Sequence, residues 1–144
     1  MTRIQLQIVL APAEAQVFLR IKQIDGSHKP VLAVVDTGAE ISLLPSTLMT
    51  SLDYRLISSE PIIAQQAGIA NQLFEAYVAN VKLYLEDTLG NQTVELEVPV
   101  LFADGDTAII GFEGLLDRAV LHIDMPALTG YIELPDYTFI RAAR

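Results

Sequence analysis

The run Val34-Val35-Asp36-Thr37-Gly38-Ala39 delivers one carboxylate from an apolar stretch straight onto a Thr-Gly turn. Asp-Thr-Gly occurs once in the chain. Carboxylates are seldom buried unless paired or hydrogen-bonded, so an aspartate fixed at the end of an apolar strand needs a physical reason. Two reasons fit. Facing a second carboxylate, Asp36 would share a proton with it and activate a water molecule; with one Asp-Thr-Gly per chain, the second carboxylate must come from another copy. Alone, Asp36 would cap its own turn through an Asx-type hydrogen bond.

Two further stretches sharpen the choice. Ile41-Ser42-Leu43-Leu44-Pro45 follows the turn, and Ile109-Ile110-Gly111, ending 75 residues after Asp36, leads into Leu115-Leu116-Asp117-Arg118. In this order the motifs resemble the retropepsin-like aspartic proteases over roughly residues 31–134, bacterial and retroelement members more than viral ones. There an apolar-apolar-Asp-Thr-Gly-Ala motif is paired with a later apolar-apolar-Gly that opens a short helix. The resemblance implies an all-β fold, a retropepsin-like closed β barrel with one or two short helices. It implies a homodimeric aspartic endopeptidase acting on peptide or protein substrates, with no cofactor and no metal.

The resemblance also assigns residues. Asp36 would be catalytic, with Thr37, Gly38 and Ala39 supporting its turn, Thr37 through a hydrogen bond across the dimer. Ile110 and Gly111 would pack the second motif beneath that turn. Residues 63–74 would form a flap closing over the peptide, with Gly68, Ile69 and Ala70 at its substrate-binding tip. Leu43, Leu44, Ile69 and Ile110 are either pocket walls or plain core. Residues 131–134 or 137–140 would add to the subunit interface. One departure stands out. Viral enzymes usually place an arginine after the second-motif glycine, paired to an acidic residue just past the catalytic motif. Here Phe112 follows Gly111, Glu40 keeps the acidic side, and Arg118 either reaches Glu40 or lies solvated. The alternative function is therefore a non-catalytic peptide-binding or dimerisation module on the same fold.

Composition narrows the partners. With 144 residues the chain is expected to form one domain, 1–144, with a core that needs no covalent staples. Hydrophobic residues make up 51% and charged residues 19%, which suits either a dense β core or apolar surface covered by a second subunit. A net charge of −9 argues against a nucleic-acid partner, whose phosphates would be repelled. The absence of cysteine removes disulfides and thiolate chemistry and permits a reducing compartment. His28 and His122 have no metal-ligand spacing around them, and no Gly-x-Ser-x-Gly elbow, Cys-His pair or phosphate-binding glycine loop occurs. Near the N-terminus, Ile4, Leu6, Ile8 and Leu10 alternate with period two, which reads as a strand and not as a signal peptide. No window approaches the length of a membrane span. The expectation is a soluble cytoplasmic protein with no membrane partner.

Short strands must position these groups. Alternating or apolar runs predict strands at residues 4–10, 17–24, 31–35, 62–66, 72–85, 93–102, 108–110, 121–124 and 131–134. Asp25-Gly26-Ser27, Leu89-Gly90-Asn91 and Asp104-Gly105-Asp106 are turn signals between them. Brief helices are expected at 45–52, with Leu48, Met49 and Leu52 on one face, and at 112–119. Glu95 and Glu97 read as the solvated face of their strand. Evenly spaced short strands punctuated by Gly and Asp predict a barrel or sandwich.

Overall fold

A computed structural model of the chain describes residues 1–65 and 73–136. Gly68, Ile69 and Ala70 of the expected flap, and residues 137–140, lie outside the described residues. The strands are β1 (Thr2–Gln5), β2 (Gln7–Val9), β3 (Glu14–Lys22), β4 (His28–Val35), β5 (Ser42–Pro45), β6 (Tyr54–Leu56), β7 (Ile62–Gln65), β8 (Leu73–Glu86), β9 (Leu96–Ala103), β10 (Ile109–Ile110), β11 (Val120–Asp124) and β12 (Thr129–Leu134). The all-β class agrees with the expectation. Two 3₁₀ turns, Ser46–Thr50 and Leu116–Arg118, stand where short helices were expected.

The pairing order β3-β4-β10-β5-β9-β8, with β8 pairing back onto β3, closes six strands into a ring. Strands β2, β6 and β7 extend it. Strands β1, β12 and β11 form a separate three-stranded sheet in that order. The alternating run at residues 4–10 therefore splits in two. At Leu6 the backbone N–H donates to the Gly130 carbonyl at 2.9 Å, and the chain passes from the small sheet to the large one. In the small sheet the expected interface strand, residues 131–134, is central and paired on both sides. It has no main-chain edge to offer a second subunit.

Period-two alternation fills the ring. Val17, Leu19 and Ile21 of β3 meet Val98, Val100 and Phe102 of β9 in the main core. Strand β8 serves two clusters at once. Its odd-numbered Ala79, Val81, Leu83 and Leu85 face the main core, while its even-numbered Phe74, Ala76 and Val78 join a second, smaller cluster.

A buried carboxylate ties the small sheet to the ring. Asp87, only 7% exposed at the end of β8, accepts four hydrogen bonds. Oδ2 receives the Gln5 N–H at 3.0 Å and Asn91 Nδ2 at 2.9 Å. Oδ1 receives the N–H groups of Leu89 at 3.0 Å and Asn91 at 2.9 Å. Burial alone would raise the Asp87 pKa, but the bonds from Gln5, Asn91 and Leu89 outweigh it and hold the carboxyl below its ordinary value. A depressed folded-state pKa stabilises the fold above the unfolded value of about 3.9, and this contribution is lost as pH falls through the folded value. Asp87→Ala is expected to cost about 2–3 kcal/mol at neutral pH by leaving these donors without their acceptor. Denaturant titrations should show the gap between parent and variant shrinking at pH 3; a gap of constant size would refute this role.

Candidate active site

Both sequence motifs meet at one place. The two residues of β10 are inserted between β4, to which they run parallel, and β5, to which they run antiparallel. Ile109 lies opposite Val34 and Leu43, and Ile110 lies opposite Val35. The N–H of Val34 donates to the Ala108 carbonyl and that of Asp36 to the Ile110 carbonyl, each at 3.0 Å. The second motif thus grips the backbone on which Asp36 sits.

The turn itself is closed by the Ala39 N–H donating to the Asp36 carbonyl at 3.1 Å. The Gly38 N–H donates to Asp36 Oδ1 at 2.8 Å, the Asx-type bond that the purely structural reading anticipates. This bond engages Oδ1 and orients the carboxylate. Asp36 is half-buried, Thr37 and Gly38 are exposed, and Ala39 is fully buried. The carboxylate therefore stands at the open rim of the ring, not inside its wall. A Cβ on Gly38 would approach Asp36 Oδ1 to 3.2 Å, so the glycine leaves room for that oxygen.

Gly111 is held more tightly still. A Cβ there would lie 2.7 Å from the Ile41 carbonyl carbon and 2.8 Å from the carbonyl oxygens of both Ala39 and Ile41. The Gly111 N–H donates to the buried Ser42 Oγ at 3.0 Å. Next to it, Phe112 N–H donates to the Ala39 carbonyl at 3.0 Å and Glu113 N–H to the Glu40 carbonyl at 2.9 Å. The corner after β10 is zipped along the segment that follows Asp36. Sequence reasoning passed over Ser42, although a lone hydroxyl in Ile41-Ser42-Leu43-Leu44 was the available signal: a buried hydroxyl requires a partner.

Alternation sorts the apolar pairs of each motif onto opposite faces. Leu44 and Ile110 enter the main core at 1% and 0% exposure, so these two candidate pocket walls are plain core. Their neighbours Leu43 and Ile109 join Ala39 in the second cluster, together with Phe74, Ala76 and Val78 of β8. The layer beside the Asp36 turn is therefore apolar and is shared with the antiparallel strands β7 and β8, whose paired ends belong to the expected flap. Ile63 and Leu73 on these strands are largely exposed.

A cavity of about 580 Å³ opens beside the corner, with Glu40, Phe112, Glu113, Asp117 and Arg118 in its walls. Glu40 and Arg118 thus border one space. Among the described residues no group of three or more His, Cys, Asp or Glu side chains could hold a metal ion, and no helix is long and apolar enough to cross a membrane.

A family model described as aspartyl protease matches residues 21–116, two thirds of the chain, and spans both motifs. The chain belongs to the aspartyl protease family. A search of curated proteins found no match. Within the aspartyl protease family, the matched segment begins in β3 and ends at the 3₁₀ turn after Gly111, so it contains the whole Asp36–Gly111 junction.

Proposed function

We propose that this chain is one half of a homodimeric aspartic endopeptidase. The observation that carries the reading is the single Asp36-Thr37-Gly38 turn, gripped by β10 and presenting a half-buried carboxylate at an open rim. Membership of the aspartyl protease family supports it. Two copies would bring their Asp36 carboxylates together on a two-fold axis, sharing one proton because adjacent like charges ionise together only at high cost; this is the established logic of the aspartic protease pair. The ionised carboxylate takes a proton from water as the water oxygen attacks the scissile carbonyl carbon. The protonated carboxylate gives its proton to the carbonyl oxygen, forming a diol. Collapse of the diol breaks the C–N bond, with a proton passing to the leaving nitrogen.

Thr37, Gly38 and Ala39 would support the paired turns, and Ile110 and Gly111 would brace them from beneath. Gly68, Ile69 and Ala70 would close over an extended peptide, held by main-chain hydrogen bonds with alternate side chains in apolar pockets. The apolar layer formed by Leu43, Ile109 and Phe74 favours apolar substrate segments.

Light scattering should give twice 15.8 kDa under conditions where peptide is cleaved. A monomer that cleaves overturns the proposal. Inhibitors mimicking the tetrahedral intermediate should compete with substrate. Activity should follow a bell in mildly acidic solution, since the pair works with one proton and fails with none or two. A kcat/KM profile that stays flat to pH 8 would contradict a shared proton. Phe112, where viral relatives carry arginine, favours the second reading of a non-catalytic peptide-binding module; a dimer that binds such peptides and leaves them intact selects it.

A further inference from the structure

Main-chain and side-chain bonds together staple the loop after Asp36 to the corner after β10. The main-chain bonds run from Asp36 N–H to the Ile110 carbonyl, from Phe112 N–H to the Ala39 carbonyl and from Glu113 N–H to the Glu40 carbonyl. A further bond runs from Gly111 N–H to Ser42 Oγ at 3.0 Å, across 69 residues of sequence. Of these, it is the one that a side-chain substitution can delete.

Two of these bonds meet on a single peptide unit. The Ile110 carbonyl, which accepts from Asp36, and the Gly111 N–H, which donates to Ser42, belong to the same planar group. In a trans peptide the two dipoles leave opposite edges of the plane, so rotating the plane loosens both bonds. Donation by the N–H also polarises the carbonyl and strengthens its grip on Asp36. That grip matters. The other described bonds of Asp36, from Ala39 N–H to its carbonyl and from Gly38 N–H to Oδ1, lie inside its own turn. They shape the turn without fixing where it stands.

We propose that Ser42 is a positioning residue: through the Ile110–Gly111 peptide plane, its hydroxyl sets where Asp36 presents the carboxylate. This rests on the protease reading above and deepens it. The register of β10 with β5 consists of the single pair Ile109–Leu43, so the hydroxyl carries their connection one step further. Ser42 is 2% exposed and Gly111 is buried, so bulk water does not stand in for the hydroxyl. Without it, the Gly111 N–H must turn toward another acceptor, because an unpaired buried donor is costly. The Ile110 carbonyl turns with it, and Asp36 follows. A misplacement of about 1 Å at a reacting group costs up to about 100-fold in rate.

Ser42→Ala deletes the acceptor. In protein shown to be folded by circular dichroism, kcat for peptide cleavage should fall at least about tenfold. KM should stay near the parent value, because the bond touches no group assigned to peptide binding. Amide hydrogen exchange followed by NMR reads the coupling without any assay of activity. The Asp36 and Gly111 amides should both exchange at least about tenfold faster in the variant, while those of Leu19 in β3 and Ile132 in β12 keep parent rates. General destabilisation would instead accelerate all of them. Ser42→Cys, whose sulfur accepts only weakly, should follow the alanine variant without emptying the site. In the parent protein the Asp36 and Gly111 amides should show closely similar protection, a comparison that needs no variant. Parent kcat in folded Ser42→Ala, faster exchange at Gly111 alone, or dissimilar protection of the two parent amides each overturns the role of Ser42 and leaves the protease reading standing. Undiminished cleavage by Asp36→Asn ends the protease reading and the role of Ser42 with it, whatever the exchange rates show.

Discussion

Asp36→Asn is expected to lower kcat/KM for peptide cleavage by about 10³-fold or more while fold and dimer persist. Asparagine has the same shape, and its Oδ1 can accept the Gly38 N–H as the carboxylate now does at 2.8 Å. The turn should therefore survive. What is lost is the ability to take up and release a proton, and in a homodimer the substitution removes it from both halves of the pair. Circular dichroism and light scattering should match the parent protein. Cleavage by the pure variant at the parent rate would show that Asp36 is not catalytic and would end the protease reading.

Gly111→Ala should affect stability and activity together. The added Cβ would press on three backbone atoms at 2.7–2.8 Å, none of which is the movable end of a side chain. Relief requires the corner after β10 to move away from Ala39 and Ile41, stretching the bonds from Phe112, Glu113 and Asp36 that hold the turn. Overpacking of this kind costs about 1–3 kcal/mol, and with backbone on every side the upper end is expected. Gly38→Ala provides the contrast. Its Cβ would crowd only Asp36 Oδ1, at 3.2 Å, so stability should change little while cleavage falls through a displaced carboxylate. Measuring denaturation midpoints and kcat/KM for both variants separates the brace from the turn. If Gly111→Ala keeps parent stability and activity, the corner is not a rigid support for the turn.

Much of the site was legible because its signals are local. Asp36 precedes a Thr-Gly turn, and a glycine ends an apolar pair, and both facts are chemical properties of adjacent residues. Strands at the two motifs, the period-two run of β3 and the turns at Asp25 and Leu89 follow for the same reason. Where pairing partners are distant, the sequence is silent. Strand β5 shows no alternation, and its pairing comes from β9 and β10, more than 50 residues later. The split at Leu6 depends on Gly130 of β12, near the far end of the chain. Asp87 looks like an ordinary turn residue until Gln5 arrives from the opposite end of the chain.

The sequence by itself singled out the groups to which the proposal gives the chemistry, and one Asp-Thr-Gly per chain is why that proposal takes its second carboxylate from another copy. Tertiary structure alone decided which way they face. Val35, Ile110 and Leu44 turn inward to the main core, while Leu43 and Ile109 turn toward the layer beside Asp36. In a strand each step flips the side chain, so the surroundings of each face depend on which neighbour covers it. That neighbour is β8, whose two faces serve both clusters. The same physics makes residues 131–134 the occupied centre of their sheet and leaves β11 at its edge, because edge or centre is a property of pairing order and no single strand encodes it.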